Sequence, residues 1–239
     1  VLDVIAADAV DAVHGKRLAQ VAGDRHGDMG GRREDMAHRV MMPRTPSRSQ
    51  APSLHCPAMF TPRTIQHCRA CGAPVVYAVP PGDNRERATC TRCGTVHYEN
   101  PLNVVGTLPV WEDKVLLCRR AIEPRLGLWT LPAGFMELGE TVAQGAVRET
   151  TEEAGARIEL QGLFSMLDVV RVGQVHFFYR ARMLDLDFLP GPESLEAMLF
   201  TEAEIPWEEI AFRTTKRTLE LYFADRRAGH FEMHCGEIA

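Results

Sequence analysis

Apolar residues spaced three and four apart over residues 141–156 predict one short amphipathic helix. Thr141 followed three residues later by Gln144 is a capping-box pattern, so the helix is expected to begin near Val142. Gly155 is expected to end it, because glycine readily adopts the left-handed conformation found after helix C-termini. The apolar stripe consists of Ala143, Ala146, Val147, Thr150 and Ala154. These side chains are mostly small, which allows the helix to pack closely on a sheet.

Runs rich in β-branched and aromatic residues surround this helix and predict strands. The predicted strands cover residues 104–110, 114–119, 128–131, 159–170, 174–183 and 197–200. The first two are separated by a short turn and read as a hairpin. A second helix is predicted over residues 214–226, with Leu219, Tyr222 and Phe223 on one side. Strands and helices interleaved in this way predict an α/β protein with a mixed sheet covered by helices.

Acidic side chains cluster on the first predicted helix. Glu149, Glu152 and Glu153 share the surface beside the apolar stripe, and Glu140 lies in the loop just before the helix. Like charges at these spacings repel one another and weaken an isolated helix. A bound cation would remove that repulsion, and Mg²⁺ prefers oxygen ligands from one or two carboxylates completed by water and phosphate. A solvated helix face is the alternative interpretation, and the specific spacing favours the metal site.

Four cysteines precede the strands in two closely spaced pairs. They are Cys68, Cys71, Cys90 and Cys93, with 18 residues between the pairs. This spacing is typical of a four-cysteine zinc ribbon, in which four thiolates complete a tetrahedron and leave no position for a reacting water. The zinc is therefore predicted to be structural. Two pairs of buried or redox-active thiols are the alternative.

The composition and net charge of the chain indicate its general class. A chain of 239 residues, 45% hydrophobic and 25% charged, is typical of a soluble globular protein with one full domain and a small appendage. The formal net charge of −5 argues against a protein that coats nucleic acid, and no stretch is apolar enough to predict a membrane partner. Seven cysteines, four of them in metal-type pairs, favour a reducing compartment, so a cytoplasmic location is predicted.

The ends of the chain carry weaker patterns. Residues 1–62 lack a sustained hydrophobic period and are predicted to be a disordered extension. An alternative is that this extension is not translated and that the native chain begins at Met59. The ribbon is expected over residues 63–100, the main domain over residues 101–230, and a tail over residues 231–239.

Seven positions around the acidic helix match the signature of the Nudix hydrolases. They are Gly134, Glu140, Arg148, Glu149, Glu152, Glu153 and Gly155. Two aliphatic positions of that signature hold Thr150 and Ala156 instead. The runs HCRACG, HYENP, GLWTLPAGFMELGET and EIPWEEIAF also resemble the Nudix branch with an N-terminal zinc ribbon, whose members resemble FAD and ADP-ribose pyrophosphatases. The resemblance implies an α/β/α sandwich with a mixed sheet, preceded by the ribbon.

The resemblance also implies roles for individual residues. Glu149, Glu152 and Glu153 would hold Mg²⁺ or Mn²⁺ and serve catalysis, with the carbonyl of Gly134 and the carboxylate of Glu140 as further contacts. Arg148 is predicted to point away from the metal and to hold the acidic loop. The general base is sought after the helix, where Glu196 is preferred over Glu193, and Glu149 is a further alternative. Substrate-binding residues stay unknown, because the aromatic candidates Phe135, Trp129, Phe178 and Tyr179 also fit core positions.

The expected reaction is metal-dependent hydrolysis of the diphosphate bond in a nucleoside diphosphate linked to another moiety. FAD or ADP-ribose would give AMP plus FMN or ribose 5-phosphate. NADH is disfavoured as the preferred substrate, because the S-Q-P-W-type segment of related NADH pyrophosphatases is missing. The alternatives are a nucleoside triphosphate house-cleaning pyrophosphohydrolase and a non-enzymatic module that senses ADP-ribose or binds nucleic acid. The expected partner is a nucleotide-type small molecule, and a homodimer is left open.

Overall fold

The two cysteine pairs are joined by a small antiparallel sheet, in a computed structural model that describes residues 65–239. Its strands, in spatial order, are β1 (Val75–Ala78), β2 (Arg87–Cys90) and β3 (Val96–His97). Gly72 and Gly94 follow the two cysteine pairs with φ of 74° and 71°, the left-handed conformation that these tight turns require. The predicted extension and the alternative start at Met59 lie outside the described residues.

A mixed sheet forms the second part of the molecule. Its central path runs in the order β10-β5-β4-β9-β8-β11, with β6 paired to β5 and β7 paired to β4. The β4–β9 and β8–β11 pairs are parallel, and the others are antiparallel. The elements are β4 (Leu102–Trp111), β5 (Lys114–Arg120), β6 (Trp129–Thr130), β7 (Ala133–Phe135), α1 (Val142–Ala154), β8 (Ile158–Val169), β9 (Gln174–Met183), β10 (Ser194–Phe200), α2 (Arg213–Ala228) and β11 (His234–Glu237). The predicted mixed α/β fold is confirmed.

Alternation along β5 shows how the sheet separates two hydrophobic cores. Val115 and Leu117 belong to the core that contains Leu219, Tyr222 and Phe223 of α2. Leu116 and Cys118, which point the other way, pack in a second core with Ala154 of α1. All four β5 residues are almost completely inaccessible to solvent. One helix therefore covers each face of the sheet, as the predicted sandwich requires.

Pairs of buried hydroxyl groups fasten the helices to the strands. Thr107 of β4 lies 2.7 Å from Thr150 of α1, whose hydroxyl is also 2.8 Å from the carbonyl of Ala146. On the other face, Ser165 lies 3.0 Å from Thr218 of α2. Buried polar groups are costly unless they are hydrogen-bonded, so these pairs satisfy each other. The Thr107 partner explains how Thr150 is accommodated at a position where the family signature has an aliphatic residue.

Two features of the main domain differ from the pattern predicted by the sequence. The segment 133–135, which follows the predicted strand 128–131 and lies outside every predicted strand, pairs with β4 as the short strand β7. The segment 231–239, expected as a tail, contributes β11, which pairs in parallel with β8 at the edge of the sheet. In residues 65–239, neither helix combines the length and hydropathy that a membrane crossing needs.

Candidate functional site

A cleft of about 720 Å³ is lined by residues of β7 and α1, among others. It contains most of the acidic residues that the sequence predicted for the site. Glu149, Glu152 and Glu153 line it from α1, and Glu193 lines it from the segment before β10. Helix α1 begins at Val142 with the predicted capping box and ends before Gly155, whose φ is 60°. Both predicted helix ends are thus confirmed, and they fix which α1 residues face the cleft.

Glu153 is a carboxylate buried beside other carboxylates. Its side chain is 7% exposed and accepts one hydrogen bond, 3.1 Å long, from the backbone N–H of Ala133. Burial is the main cause that raises the pKa of Glu153 to about 8; the charges of Glu149 and Glu193 also raise it, whereas the Ala133 N–H and the Arg120 charge lower it. Without a cation, the folded protein therefore holds a proton at Glu153 near neutral pH.

Glu149 lies directly against the backbone of Gly134. A Cβ atom added at Gly134 would come within 2.4–2.5 Å of the Glu149 carboxylate, a distance that no real side chain tolerates. Burial raises the pKa of Glu149 from its usual value, and the Arg148 guanidinium opposes that shift. The glycine that pairs with Val105 of β4 therefore provides the space in which this carboxylate sits.

Arg148 connects the acidic loop with the acidic helix. Its guanidinium donates two hydrogen bonds, of 2.9 and 2.7 Å, to the Glu140 carboxylate and a third, of 3.1 Å, to the carbonyl of Phe135. It also donates to Glu149 at 2.7 Å and to Glu152 at 3.1 Å. The prediction that this side chain points away from the metal face differs from the structure, because the long arginine stem lets one guanidinium reach both groups of carboxylates.

Glu140 and Glu196 lie outside the cleft that contains the other acidic candidates. The Glu140 carboxylate is occupied by Arg148 and by the N–H of Glu137, which together hold its pKa at about 2. Neither Glu140 nor Glu196 is among the described residues that line the cleft. Glu196 instead forms a 2.9 Å ion pair with Arg119 of the neighbouring strand. Of the two glutamates considered for the base, Glu193 is thus the one at the cleft.

The carboxylates of the cleft fit a hydrated divalent cation. Two of the three α1 glutamates are buried, and the Arg148 guanidinium beside them is shared with Glu140. Within residues 65–239, only the four cysteines bring three or more ligand atoms within 4.8 Å of one another. The carboxylates are therefore too widely spaced for a complete protein cage and suit a cation such as Mg²⁺, which keeps several water ligands.

The Glu153 carboxyl leads to a testable pH dependence. A carboxyl whose pKa is higher in the folded state binds more protons when folded, so its contribution to stability falls as pH rises. We expect the free energy of unfolding of chelator-treated protein to decrease between pH 5 and pH 8. Urea unfolding at several pH values measures it, and the Glu153→Gln variant should flatten this decrease. An equally steep fall in the variant would contradict the assignment to Glu153.

The cysteines form a compact group in the small sheet. Their Sγ atoms lie 3.7 Å apart for Cys68 and Cys93, and 3.5 Å apart for Cys71 with each of Cys90 and Cys93. Tetrahedral Zn–S bonds of about 2.3 Å require sulfurs roughly 3.8 Å apart, so the group fits zinc. The backbone N–H groups of Ala70 and Arg92 donate to sulfur at 3.4 Å. The side chain and backbone of Thr95 lower the pKa of Cys93 to about 6, which favours the thiolate that zinc binds.

Other residues of the cleft were not identified from the sequence. The Arg120 guanidinium lies 5.1 Å from the ring centroid of Phe212, and both side chains line the cleft. His176 lines it from β9, where burial lowers its pKa to about 4 and keeps the imidazole neutral. Its Nε2 is 3.0 Å from Gln174 Oε1, and its buried Nδ1 has no hydrogen-bond partner among the described residues. Arg120 and His176 lie on β5 and β9, and Phe212 ends the run EIPWEEIAF just before α2, so their meeting in the cleft could not be read from spacing along the chain.

The four aromatic candidates divide between core and cleft. Phe178 is 2% exposed and still contributes to the cleft wall, whereas Phe135 is 54% exposed at its edge. Trp129 packs in the core against Phe200, with ring centroids 5.0 Å apart. Tyr179 is half-buried and is not among the described residues that line the cleft. An accessible aromatic face in the cleft is therefore offered by Phe135 and by Phe212.

Comparisons with known proteins follow the two-part organisation of the chain. The model of the Nudix N-terminal zinc ribbon matches residues 66–99, and the model of the NUDIX domain matches residues 101–220. The crystal structure of a NUDIX hydrolase from Nitrosomonas europaea is 50% identical, covers 73% of this chain and 99% of its own, and superposes with a TM-score of 0.71. The NUDIX-domain match covers half of the chain and the structural match covers 73% of it, so both the family and the fold are established.

Curated relatives match more distantly. An NAD-capped RNA hydrolase NudC from Photobacterium profundum is 30% identical over 60% of this chain and 52% of its own length. An ADP-ribose pyrophosphatase from Methanocaldococcus jannaschii is 36% identical over 48% of this chain and 69% of its own. The chain spans about half or less of the length of the NudC relatives that it matches. The acidic helix, the cysteine group and these matches together identify the chain as a member of the Nudix family, in the form that carries an N-terminal zinc ribbon.

Proposed function

We propose that this protein hydrolyses the diphosphate bond of a nucleoside diphosphate linked to another moiety, with ADP-ribose or FAD as its substrate. The observation that carries the proposal is the cleft in which Glu149, Glu152 and Glu153 line one wall and Glu193 adds a fourth carboxylate. Such a set can hold a divalent cation against a diphosphate. The similarity to a protein named ADP-ribose pyrophosphatase supports ADP-ribose as the first substrate to test.

In the reaction, a water oxygen forms a bond to one phosphorus while the bridging P–O bond breaks, and the leaving phosphate keeps the electron pair. Glu149, Glu152 and Glu153 would hold a divalent cation, which when bound would neutralise the charge that builds on the phosphate oxygens. Arg148 holds Glu149 and Glu152 in place and ties them to the Glu140 loop. The buried carboxylate of Glu149 is pre-positioned in this way, so little reorganisation is needed at the moment of reaction.

Glu193 is the proposed general base. It lines the cleft and, among the described residues, its carboxylate has no ion-pair or hydrogen-bond partner. Glu196 is held by Arg119, and a carboxylate bound directly to a cation is a poor proton acceptor. The unpaired carboxylate at the cleft is therefore better suited to take the proton of the attacking water than either Glu196 or Glu149.

A matched pair of variants tests this choice. We expect Glu193→Gln to lower kcat by about a hundredfold or more, the usual contribution of a positioned base. Glu196→Gln should change kcat much less, because Glu196 lies outside the cleft and its partly exposed ion pair with Arg119 contributes little. Steady-state kinetics with ADP-ribose at saturating Mg²⁺ measures both. The reverse order of effects would restore Glu196 as the base.

Gly134→Ala tests whether the position of Glu149 matters. The added methyl group overlaps the Glu149 carboxylate and must displace it. We expect kcat to fall by about a hundredfold, since displacements near 1 Å in a reacting group have that effect. Gly236→Ala is the matched control, because nothing lies within 4 Å of a Cβ at that position. Equal activity in both variants would show that Glu149 is not needed in its present place.

A Mg²⁺-dependent hydrolysis screen tests the proposal as a whole. Its substrates are ADP-ribose, FAD, NADH, diadenosine polyphosphates and nucleoside triphosphates. ADP-ribose or FAD should give the highest kcat/KM, because that ratio reports differential binding of the transition state. Labelled ¹⁸O-water identifies the phosphorus that is attacked. A nucleoside triphosphate preferred by tenfold, about 1.4 kcal/mol, would replace the dinucleotide assignment with the house-cleaning one.

A further inference from the structure

A second cavity adjoins the acidic cleft and carries charge of the opposite sign. It measures about 380 Å³ and shares Gln174, His176 and Phe212 with the cleft. Six glutamates line the cleft, whereas none of the described residues that line the second cavity has an acidic side chain. The shared His176 is neutral, because burial lowers its pKa to about 4. The charge of the second cavity therefore comes from its arginines.

Those arginines reach the cavity from three separate elements. Arg125 lies in the loop after β5, Arg171 at the turn between β8 and β9, and Arg213 at the first position of α2. Arg213 donates a hydrogen bond to the carbonyl oxygen of Ala239. Arg125 and Arg171 have no ion-pair or hydrogen-bond partner for their side chains within residues 65–239. Two uncompensated guanidinium groups thus face one small space.

Phosphate is the group that best matches this arrangement. A guanidinium presents several N–H donors in a planar fork, and it binds phosphate oxygens with paired, charge-assisted hydrogen bonds. The scissile diphosphate needs the cation at the glutamates, so it cannot also occupy the arginines. A further phosphate on the same substrate would be repelled by the acidic cleft and attracted to the adjoining basic cavity.

We propose that the cavity of Arg125, Arg171 and Arg213 binds a phosphate that the substrate carries outside its scissile diphosphate. The inference rests on the proposed function, and it narrows the substrate class to nucleotides with an additional phosphate on the nucleoside. Arg125 and Arg171 recognise that phosphate, and the shared wall at His176 and Phe212 lies between it and the reacting diphosphate.

Calorimetric binding to the full chain tests the inference without turnover. The probes are AMP, adenosine 2′,5′-bisphosphate and adenosine 3′,5′-bisphosphate, each without divalent metal. One of the bisphosphates should bind about tenfold more tightly than AMP, the effect of one charge-assisted hydrogen bond. Arg171→Gln and Arg125→Gln should each lower this affinity ratio towards one. Arg182→Gln, on the exposed face of β9 and outside both cavities, is the charge-matched control and should keep the ratio.

The outcomes separate the inference from the proposed function. A ratio near one in the unchanged protein overturns the phosphate site, and so does a ratio that survives both arginine substitutions. Failure to hydrolyse any diphosphate would instead remove the proposed function, because the binding measurement involves no catalysis. As a second readout, ADP-ribose 2′-phosphate should be hydrolysed with a higher kcat/KM than ADP-ribose if the 2′,5′-bisphosphate is the tighter probe.

Discussion

Glu153→Gln is expected to lower kcat for diphosphate hydrolysis by several orders of magnitude while the protein stays folded. The amide keeps the size of the side chain and can still accept the hydrogen bond from the Ala133 N–H. It removes the negative charge that a divalent cation requires from this wall of the cleft. Steady-state kinetics over a Mg²⁺ titration measures the loss, and Glu152→Gln should behave in the same direction.

Stability separates this role from a purely structural one. The carboxyl of Glu153 is buried and its pKa is raised to about 8, so an ionised Glu153 destabilises the metal-free fold. Chelator-treated Glu153→Gln should therefore be at least as stable as the unchanged protein at pH 8. Glu159→Gln, an exposed glutamate paired with Arg182, is the control and should keep full activity. Full turnover in both α1 variants at saturating Mg²⁺ would eliminate the metal-site argument.

Local signals explain why so much of the fold could be predicted. The ends of α1 are encoded by Thr141, Gln144 and Gly155, which act within one or two turns of the helix. β9 has the predicted bounds, and β4, β5 and β8 lie within a few residues of theirs, because long apolar runs bounded by turn residues carry a strong strand signal. Information of this kind does not depend on distant parts of the chain.

The short edge strand β11 could not be predicted from local sequence signals. β11 comprises the sequence HCGE, which has no apolar alternation. β11 pairs with the edge of β8. It is also held by the His234 imidazole, whose Nε2 lies 2.9 Å from the Asp225 carboxylate of α2. β7 is similar, since its three residues are too few to carry a strand pattern of their own and are defined by their pairing with β4. Strands of this type are defined by their neighbours, so a sequence pattern cannot reveal them.

The functional site also combines residues that the sequence revealed with residues that only the fold brings together. The α1 glutamates follow a fixed spacing on one helix and could be found from the sequence. The choice between Glu193 and Glu196 depends on Arg119, a residue far away in the chain that pairs with one of them. Arg120, His176 and Phe212 also meet only through the sheet. Sequence spacing locates groups that share an element, and tertiary structure decides which distant groups join them.

Cys68→Ser is expected to remove the zinc and to unfold the small sheet. The described ribbon buries few apolar side chains, chiefly Ala88 and the cysteines Cys68 and Cys90 themselves. Structural zinc contributes about 10–16 kcal/mol in zinc-finger peptides, so its loss cannot be offset by so small a core. Elemental analysis should fall from about one zinc per chain to almost none. Hydrogen exchange should show lost protection in β1–β3, while β4 and β9 keep theirs.

Cys235→Ser is the matched control for this loss, because Cys235 is exposed on β11 and lies outside the cysteine group. It should keep both the zinc and the protection of the ribbon. The separate sheets make the expected damage local, since β1–β3 share no strand pairing with the main sheet. A Cys68→Ser protein that lacks zinc but keeps slow exchange in β1–β3 would refute the structural role, because the ribbon would then fold on side-chain packing alone.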